Sequence, residues 1–294
     1  MSELVAIDAD LLRALPLPLH DGDADKDERG RVLVVGGSRG VPGALLLAGV
    51  AALRAGAGKL QLATVASVAV AIGVAVPEAL VIALAETDDG DIAPGAIDGI
   101  AERLSRCDAL LVGPGMLDPR AATSLTHAAL AADGPAFVLD AGALCDLRAE
   151  AGALHRHGGR VVLTPHAGEM ARMTGLAPEE IAADPAGVAV RTAAELGAVV
   201  VLKGGQTVVA APDGRAWHYA RGRVGLATSG SGDTLAGVVA GLLARAADPH
   251  QAAIWGVYLH GEAGNRLSQK RGPVGFLARE LLAEIPALMA ELAA

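Results

Sequence analysis

Aromatic residues are scarce in this chain: two Trp, two Tyr and two Phe serve 294 residues. That excludes an aromatic stacking platform for single-stranded nucleic acid and leaves the core to Ala, Val, Leu and Ile. Cysteine is scarcer still. Cys107 and Cys145 make no disulfide framework, and no Cys-x-x-Cys spacing offers a zinc site. Basic residues are in the minority, 24 Lys and Arg against 33 Asp and Glu, for a net charge of −9. A nucleic-acid binder needs a basic face, so that class is excluded too. An anionic ligand would be held locally, by backbone amides and a few cations. The opening MSELVAIDADLLRAL lacks the basic-then-apolar layout of a secretory leader. With two thiols and no leader, a cytoplasmic location is expected. Long uninterrupted hydrophobic runs are also missing. Residues 65–84 come closest to the roughly 20 apolar residues that a membrane span needs, but Pro77-Glu78 cuts them and no basic flanks accompany them. They read as a buried helix and a strand, with no membrane partner.

What is present is an apolar fraction of 52% and 38 glycines. The apolar fraction excludes intrinsic disorder. The glycines are about twice the usual share and show no collagen-like period. The length allows one large domain or two modest ones. Residues 1–30 crowd Asp21, Asp23, Asp25, Asp27 and Glu28 after Pro16 and Pro18 and read as an acidic arm. From Arg31 to Ala294 no linker or repeat appears, so a single domain is expected. Apolar runs without alternation at 31–35, 60–64, 80–84, 109–112, 136–139, 160–163 and 199–202 predict strands buried on both faces. Helical spacing at 44–55, 93–104, 119–132 and 185–196 alternates with them. This is the pattern of a parallel sheet covered by helices. A hairpin is expected over 207–211 and 215–219 around Pro212-Asp213-Gly214, then a long helix over 232–245.

In such a fold ligands sit at the carboxyl ends of the strands, and here those ends carry unusual residues. Gly230-Ser231-Gly232-Asp233 opens an apolar helix. Free amides at a helix start attract an anion, and a carboxylate there suits a base that deprotonates a hydroxyl attacking phosphorus. The local sequence also allows a plain turn with Asp233 as a cap. Lys203 follows a strand and precedes Gly204-Gly205, which suits nucleotide phosphates or a simple surface turn. The segment GGSRGVPG after the first strand of the domain lacks the Gly-Lys-Ser/Thr ending of a P-loop and the spacing of a dinucleotide fingerprint. His166 and Glu169 follow another strand end, as loop residue and helix acid or as site residues. Gly113-Pro114-Gly115 and Asp140 end two more strands; Asp140 reads as a cap or a polar site residue.

Taken in order, GGSRGVPGA, GPG, LDAGAL, LTPHAGEM, VVLKGGQT and GLATSGSGD resemble the nucleotide-dependent NAD(P)H-hydrate dehydratases, over essentially the whole chain from Arg31. The resemblance implies a ribokinase-like fold, a three-layer α/β/α sandwich with a central, mostly parallel sheet. It implies a hydro-lyase whose substrate is NADH or NADPH hydrated at C6 of the nicotinamide (NADHX or NADPHX). ADP, or ATP, is the co-substrate, Mg²⁺ the metal, and AMP and phosphate the by-products of the ADP reaction. By the same resemblance Asp233 is the catalytic base, and Gly230, Ser231 and Gly232 form the anion hole. Lys203, Gly204, Gly205, Gln206 and Thr207, with Gly232, line the nucleotide. Ala44, Gly115 and His166, with Asp233, line the hydrated dinucleotide. Glu169 would organise Mg²⁺ through water, where sugar and vitamin kinases carry the acid of an Asn-x-x-Glu motif. Such kinases have Asn where this chain has His166, which favours the dehydratase over a hydroxyethylthiazole- or pyridoxal-type kinase, the alternative reading. A nucleotide-binding regulator without turnover would not need Asp233. Two residues depart from the family pattern: Ser229 stands where Gly is usual, and Met116 follows GPG where Leu-Gly is usual. Residues 1–30 offer no epimerase domain, so a dehydratase alone is expected, assembled as a homotetramer.

Overall fold

In this computed structural model, residues 4–19 and 25–293 are described. Ten strands form one sheet: β1 (Leu4–Ala6), β2 (Arg31–Val35), β3 (Lys59–Val65), β4 (Ala79–Leu84), β5 (Ala109–Val112), β6 (Ala136–Leu139), β7 (Val161–Leu163), β8 (Val199–Leu202), β9 (Thr207–Ala210) and β10 (Ala216–Tyr219). Their order is β1-β10-β9-β8-β7-β6-β5-β2-β3-β4. All pairings are parallel except β8–β9 and β9–β10, the expected hairpin added to a parallel sheet. Among the described residues twelve helices cover it: α1 (Ala9–Ala14), α2 (Pro42–Arg54), α3 (Ala66–Ala75), α4 (Ala101–Leu104), α5 (Pro119–Leu130), α6 (Ala151–Arg156), α7 (Ala167–Thr174), α8 (Pro178–Ala183), α9 (Pro185–Leu196), α10 (Ser231–Ala244), α11 (Pro249–Arg271) and α12 (Ala278–Ala293). The three-layer α/β/α architecture follows.

The strands alternate between two cores. Val32, Val34, Ala109, Leu111, Val199 and Val201 face α2, α10 and α11. Leu33, Val35, Leu110, Val112, Val200 and Leu202 face α5, α7 and α9. Both side-chain rows of each inner strand are buried, which is why these strands read as unbroken apolar runs. All six aromatic side chains are buried, five of them on the first face and Phe137 alone on the second. No aromatic is left for a stacking surface.

Local chemistry sets the helix starts. Pro119 and Pro185 occupy first turns, where their missing N–H is not needed, behind Asp118 and Asp184, which cap α5 and α9. The helix expected over 93–104 is instead a 3₁₀ segment, Ala96–Ile100, followed by the single turn α4. Pro94, Gly95 (φ +79°) and Gly99 weaken the α form there. The 65–84 stretch divides at Pro77 into α3 and β4, and among the described residues no helix is long and apolar enough to cross a membrane.

The acidic arm expected over residues 1–30 needs correction. β1 adds as an edge strand parallel to β10. Ile7 and Leu12 are buried in the first core, and Trp255 Nε1 donates to Leu15 O at 2.7 Å. Ile7 and Leu12, with Leu4, Ala9, Leu11 and Leu15 partly buried against the cores, therefore fold this segment onto the domain. Asp27 pairs with Lys59 and Arg31, so this acid too is pinned. Asp21 and Asp23 lie outside the described residues.

Candidate active site

The strand order reverses between β5 and β2, because β3 and β4 lie to one side of β2 and the chain then returns to the other. Crevices at such reversals are where open α/β sheets bind ligands. Two glycine turns meet there. Gly37 N donates to Pro114 O at 2.7 Å. A Cβ on Gly115 (φ +73°) would lie 2.5 Å from Val41 O and 3.1 Å from Ala44 Cβ. Only glycine fits that contact, and it brings Gly115 and Ala44 together, as one site requires. Met116, the departure from the family pattern, is packed into the second core while its amide closes a turn on Gly113 O.

Beside this crevice three adjacent parallel strands deliver a row of polar residues at their carboxyl ends. Asp140 follows β6, Thr164 follows β7 and Lys203 follows β8. Asp140 makes no side-chain cap bond. Its Oδ1 accepts instead from Thr164 Oγ1 at 2.7 Å and from Lys203 Nζ at 2.9 Å. Lys203 Nζ also lies 3.9 Å from Glu169 Oε2. Burial alone would pull the Lys203 pKa down, but Asp140 and then Glu169 hold it above the ordinary lysine value. Lys203 is a fixed cation.

His166 is the N-cap of α7. Its Nδ1 accepts from the amides of Gly168 (3.0 Å) and Glu169 (3.2 Å), and Glu169 Oε2 accepts from the His166 amide at 2.8 Å. The capping box is complete. Two amides on Nδ1 leave the ring proton of the neutral form on Nε2.

The N-terminus of α10 closes the site. Gly230 stands at its N-cap with φ +85°, and a Cβ there would also strike Leu47 of α2 at 2.4 Å. Asp233 is therefore not the cap; it sits on the first turn, its carboxylate accepting from its own amide. Burial first, then the negative charge of Asp140, pushes its pKa up to about 6. A Cβ on Gly232 would lie 3.3 Å from Lys203 Nζ, so the ammonium faces the start of this helix directly. The Ser231 amide is taken by Thr228 O at 3.2 Å, which leaves Gly230 and Gly232 of the expected anion-hole amides. The Ser231 hydroxyl is hydrogen-bonded to His260 Nε2 at 2.9 Å. Burial pushes the His260 pKa down to about 4, so this ring is neutral at pH 7.

A cavity of about 570 Å³ opens at this point, lined by His166, Lys203, Gly204, Gly205, Thr207, Ser231 and Gly232 at its polar end. Leu226, Leu235 and Val257 form an apolar wall. Seven of the residues singled out in the sequence thus surround one space. Gln206 does not line it; its amide turns to the His218 ring. Ala44 and Gly115 lie outside it, in the neighbouring crevice. Sequence reading missed Arg223, Thr228 and His260, which line the cavity. Nothing marks His260 along the chain, because it is one of several polar positions within the long helix α11 and belongs to no strand end.

This arrangement offers a helix N-terminus, a fixed ammonium beside it, a carboxylate able to take a proton near neutrality, and an apolar pocket. The family model described as NAD(P)H-hydrate dehydratase matches residues 32–287. An ADP-dependent (S)-NAD(P)H-hydrate dehydratase of Xanthomonas campestris pv. campestris is 49% identical over 286 residues, 96% of this chain and 95% of that protein. The bifunctional NAD(P)H-hydrate repair enzyme Nnr of Moorella thermoacetica is 39% identical over 94% of this chain and 52% of its own length. Among solved structures, the ADP/ATP-dependent NAD(P)H-hydrate dehydratase of Bacillus subtilis, co-crystallised with ATP and Mg²⁺, superimposes with a TM-score of 0.84. It has 33% identity and covers 99% of this chain and 100% of that one.

Proposed function

Since the chain belongs to the NAD(P)H-hydrate dehydratase family, we propose that it restores NADH and NADPH from their S-hydrates at the expense of ADP. The observation that carries this reading is Asp233: a carboxylate kept basic by burial, on the first turn of a helix whose start faces the Lys203 ammonium. The hydrated nicotinamide has a hydroxyl at C6. Asp233 accepts that proton as the oxygen attacks the terminal phosphorus of ADP, and AMP leaves. The amides at the α10 start and Lys203 face the charge that develops on the phosphoryl oxygens; such preorganised donors lower the barrier by several kcal/mol where water is excluded. The C6–O bond then breaks with phosphate taking the electron pair. The ring nitrogen supplies the electrons, and loss of the C5 proton restores the C5–C6 double bond. Atoms balance as hydrate plus ADP giving reduced cofactor, AMP and phosphate.

The hydrated ring belongs at the switch-point crevice, beside Ala44 and Gly115, with His166 lining the neighbouring cavity and its Nε2 3.4 Å from Glu169 Oε1. The nucleotide belongs in the 570 Å³ cavity, its phosphates at Gly204, Gly205 and Gly232 and its base against Leu226, Leu235 and Val257. Mg²⁺ fits only in a loose sense. Among the described residues no group of three His, Cys, Asp or Glu side chains could cage an ion. Glu169 already accepts from the His166 amide. That suits a hydrated ion carried by the phosphates and held by Glu169 through water; when bound it would neutralise phosphate charge.

The test is direct. Incubation with S-hydrated NADH and ADP should restore the absorbance of the reduced nicotinamide, with AMP formed in equal amount. No recovery with either ADP or ATP would overturn the reading, and phosphorylation of a vitamin alcohol instead would install the kinase. We also read the chain as a cytoplasmic homotetramer, an arrangement supported by an uncharged apolar surface on α3 and β4 that is taken up below.

A further inference from the structure

Beyond the charge it exerts on Asp233, Asp140 has no part in the chemistry above, yet it is among the most buried charges in the molecule, its side chain only 3% exposed. It does not line the nucleotide cavity, whereas Lys203 does. We propose that Asp140 is a positioning residue. Braced by Thr164, it holds the Lys203 ammonium against Gly232, so that the cation already stands where the nucleotide phosphates arrive. The inference rests on the nucleotide reading of the cavity.

The geometry carries it. Asp140, Thr164 and Lys203 end three neighbouring strands, so the sheet itself fixes their spacing. One carboxylate oxygen, Oδ1, accepts from both Thr164 and Lys203. The Thr164 hydroxyl is fully buried, and its bond to Oδ1 fixes the direction in which that oxygen faces the lysine. The lysine amide donates to Pro165 O at 2.8 Å, so the backbone end of the side chain is fixed as well. A flexible ammonium is thereby held at both ends. A lysine left to itself would lose side-chain entropy on meeting the phosphates. Here that ordering is complete before the nucleotide enters, which is the sense in which a preorganised group binds and catalyses better. Glu169, 3.9 Å away, is too distant to hydrogen-bond the ammonium and acts on it only through charge.

The test is a double-mutant cycle with Asp140→Asn and Lys203→Met, read by calorimetric titration with ADP and by turnover of the hydrate. We expect Asp140→Asn to weaken ADP binding and turnover together, each by about 10-fold or more, as loss of a charge-assisted bond does. In the Lys203→Met background the same change should cost ADP binding less than about 2-fold, because there is no ammonium left to place. Equal losses in both backgrounds, or wild-type values for Asp140→Asn, would overturn the proposal. Should Asp140→Asn fail to fold, Thr164→Val and Thr164→Ser carry the test. Valine should weaken ADP binding only when Lys203 is present, and serine should restore it; a valine effect independent of Lys203 would refute the assignment. If the wild-type protein binds ADP but restores no NADH, the proposed activity falls while the titrations still decide on Asp140.

Discussion

At the scale of the residue, the proposed chemistry concentrates at Asp233. In that reaction its ionised form is the base, and its pKa is raised to about 6 by burial and by Asp140, against the opposing charge of Lys203. Activity therefore falls as pH drops through about 6 and is retained at 7. A log plot of kcat/KM against pH should show a slope of one below that point, since this parameter reports the free enzyme. A limb near 4, the ordinary carboxylate range, would mean that the burial does not act on this group. Asp233→Asn keeps the shape and removes the base, so turnover should fall by about 10²- to 10⁴-fold while ADP affinity stays the same or improves. Turnover near wild type would strip Asp233 of its role. Lys203 and Asp233 were visible in the sequence because each stands beside glycine, Lys203 just after a strand and Asp233 in the first turn of a helix. The pairing of Asp140 with Lys203 was not visible, since it joins residues 63 positions apart.

At the scale of the element, the contact between α2 and α10 determines where the anion site lies. Gly237 and Gly241 let α10 approach until their α-carbons meet the backbone of Ala48 and Ala52. A Cβ on Gly237 would come 2.1 Å from Ala48 O, a backbone atom that cannot swing away. Helix propensity alone predicts that Gly237→Ala adds about 1 kcal/mol of stability. The overlap predicts the reverse, a loss of about 1–3 kcal/mol or more, with weaker ADP binding because the start of α10 shifts. Chemical denaturation decides, and a stabilised variant would contradict the close contact. Periodicity revealed most strands and helices, including the division of 65–84 at Pro77. It overcalled a helix at 93–104, where Gly95 and Gly99 favour a 3₁₀ segment. It also missed β1, a short run whose partner strand lies more than two hundred residues away.

At the scale of the whole molecule, the far edge of the sheet is unguarded. Val70 and Val74 on α3 are 81% and 79% exposed, and Leu80 on β4 is 49% exposed. The segment from Ala66 to Ala75 has no charged residue, and the edge strand ALVIAL has no Lys or Pro to discourage pairing. In a chain of net charge −9, an uncharged apolar face is one on which copies meet without repulsion. Light scattering should give the mass of four chains, and Val70→Glu with Val74→Glu should lower it. A monomeric mass for the unaltered protein would refute the tetramer. The sequence by itself determined the parallel α/β sandwich, since strands buried on both faces and helices between them leave a periodic record. It also determined which residue types reach the strand ends. Only the tertiary structure decided which of those ends share one cavity, that Gln206 turns away from it, that His260 joins it, and that the N-terminal segment belongs to the domain. The physical reason is that burial and pairing across strands depend on sheet order, which places residues far apart in the chain within a hydrogen bond of each other and leaves no local trace in either segment.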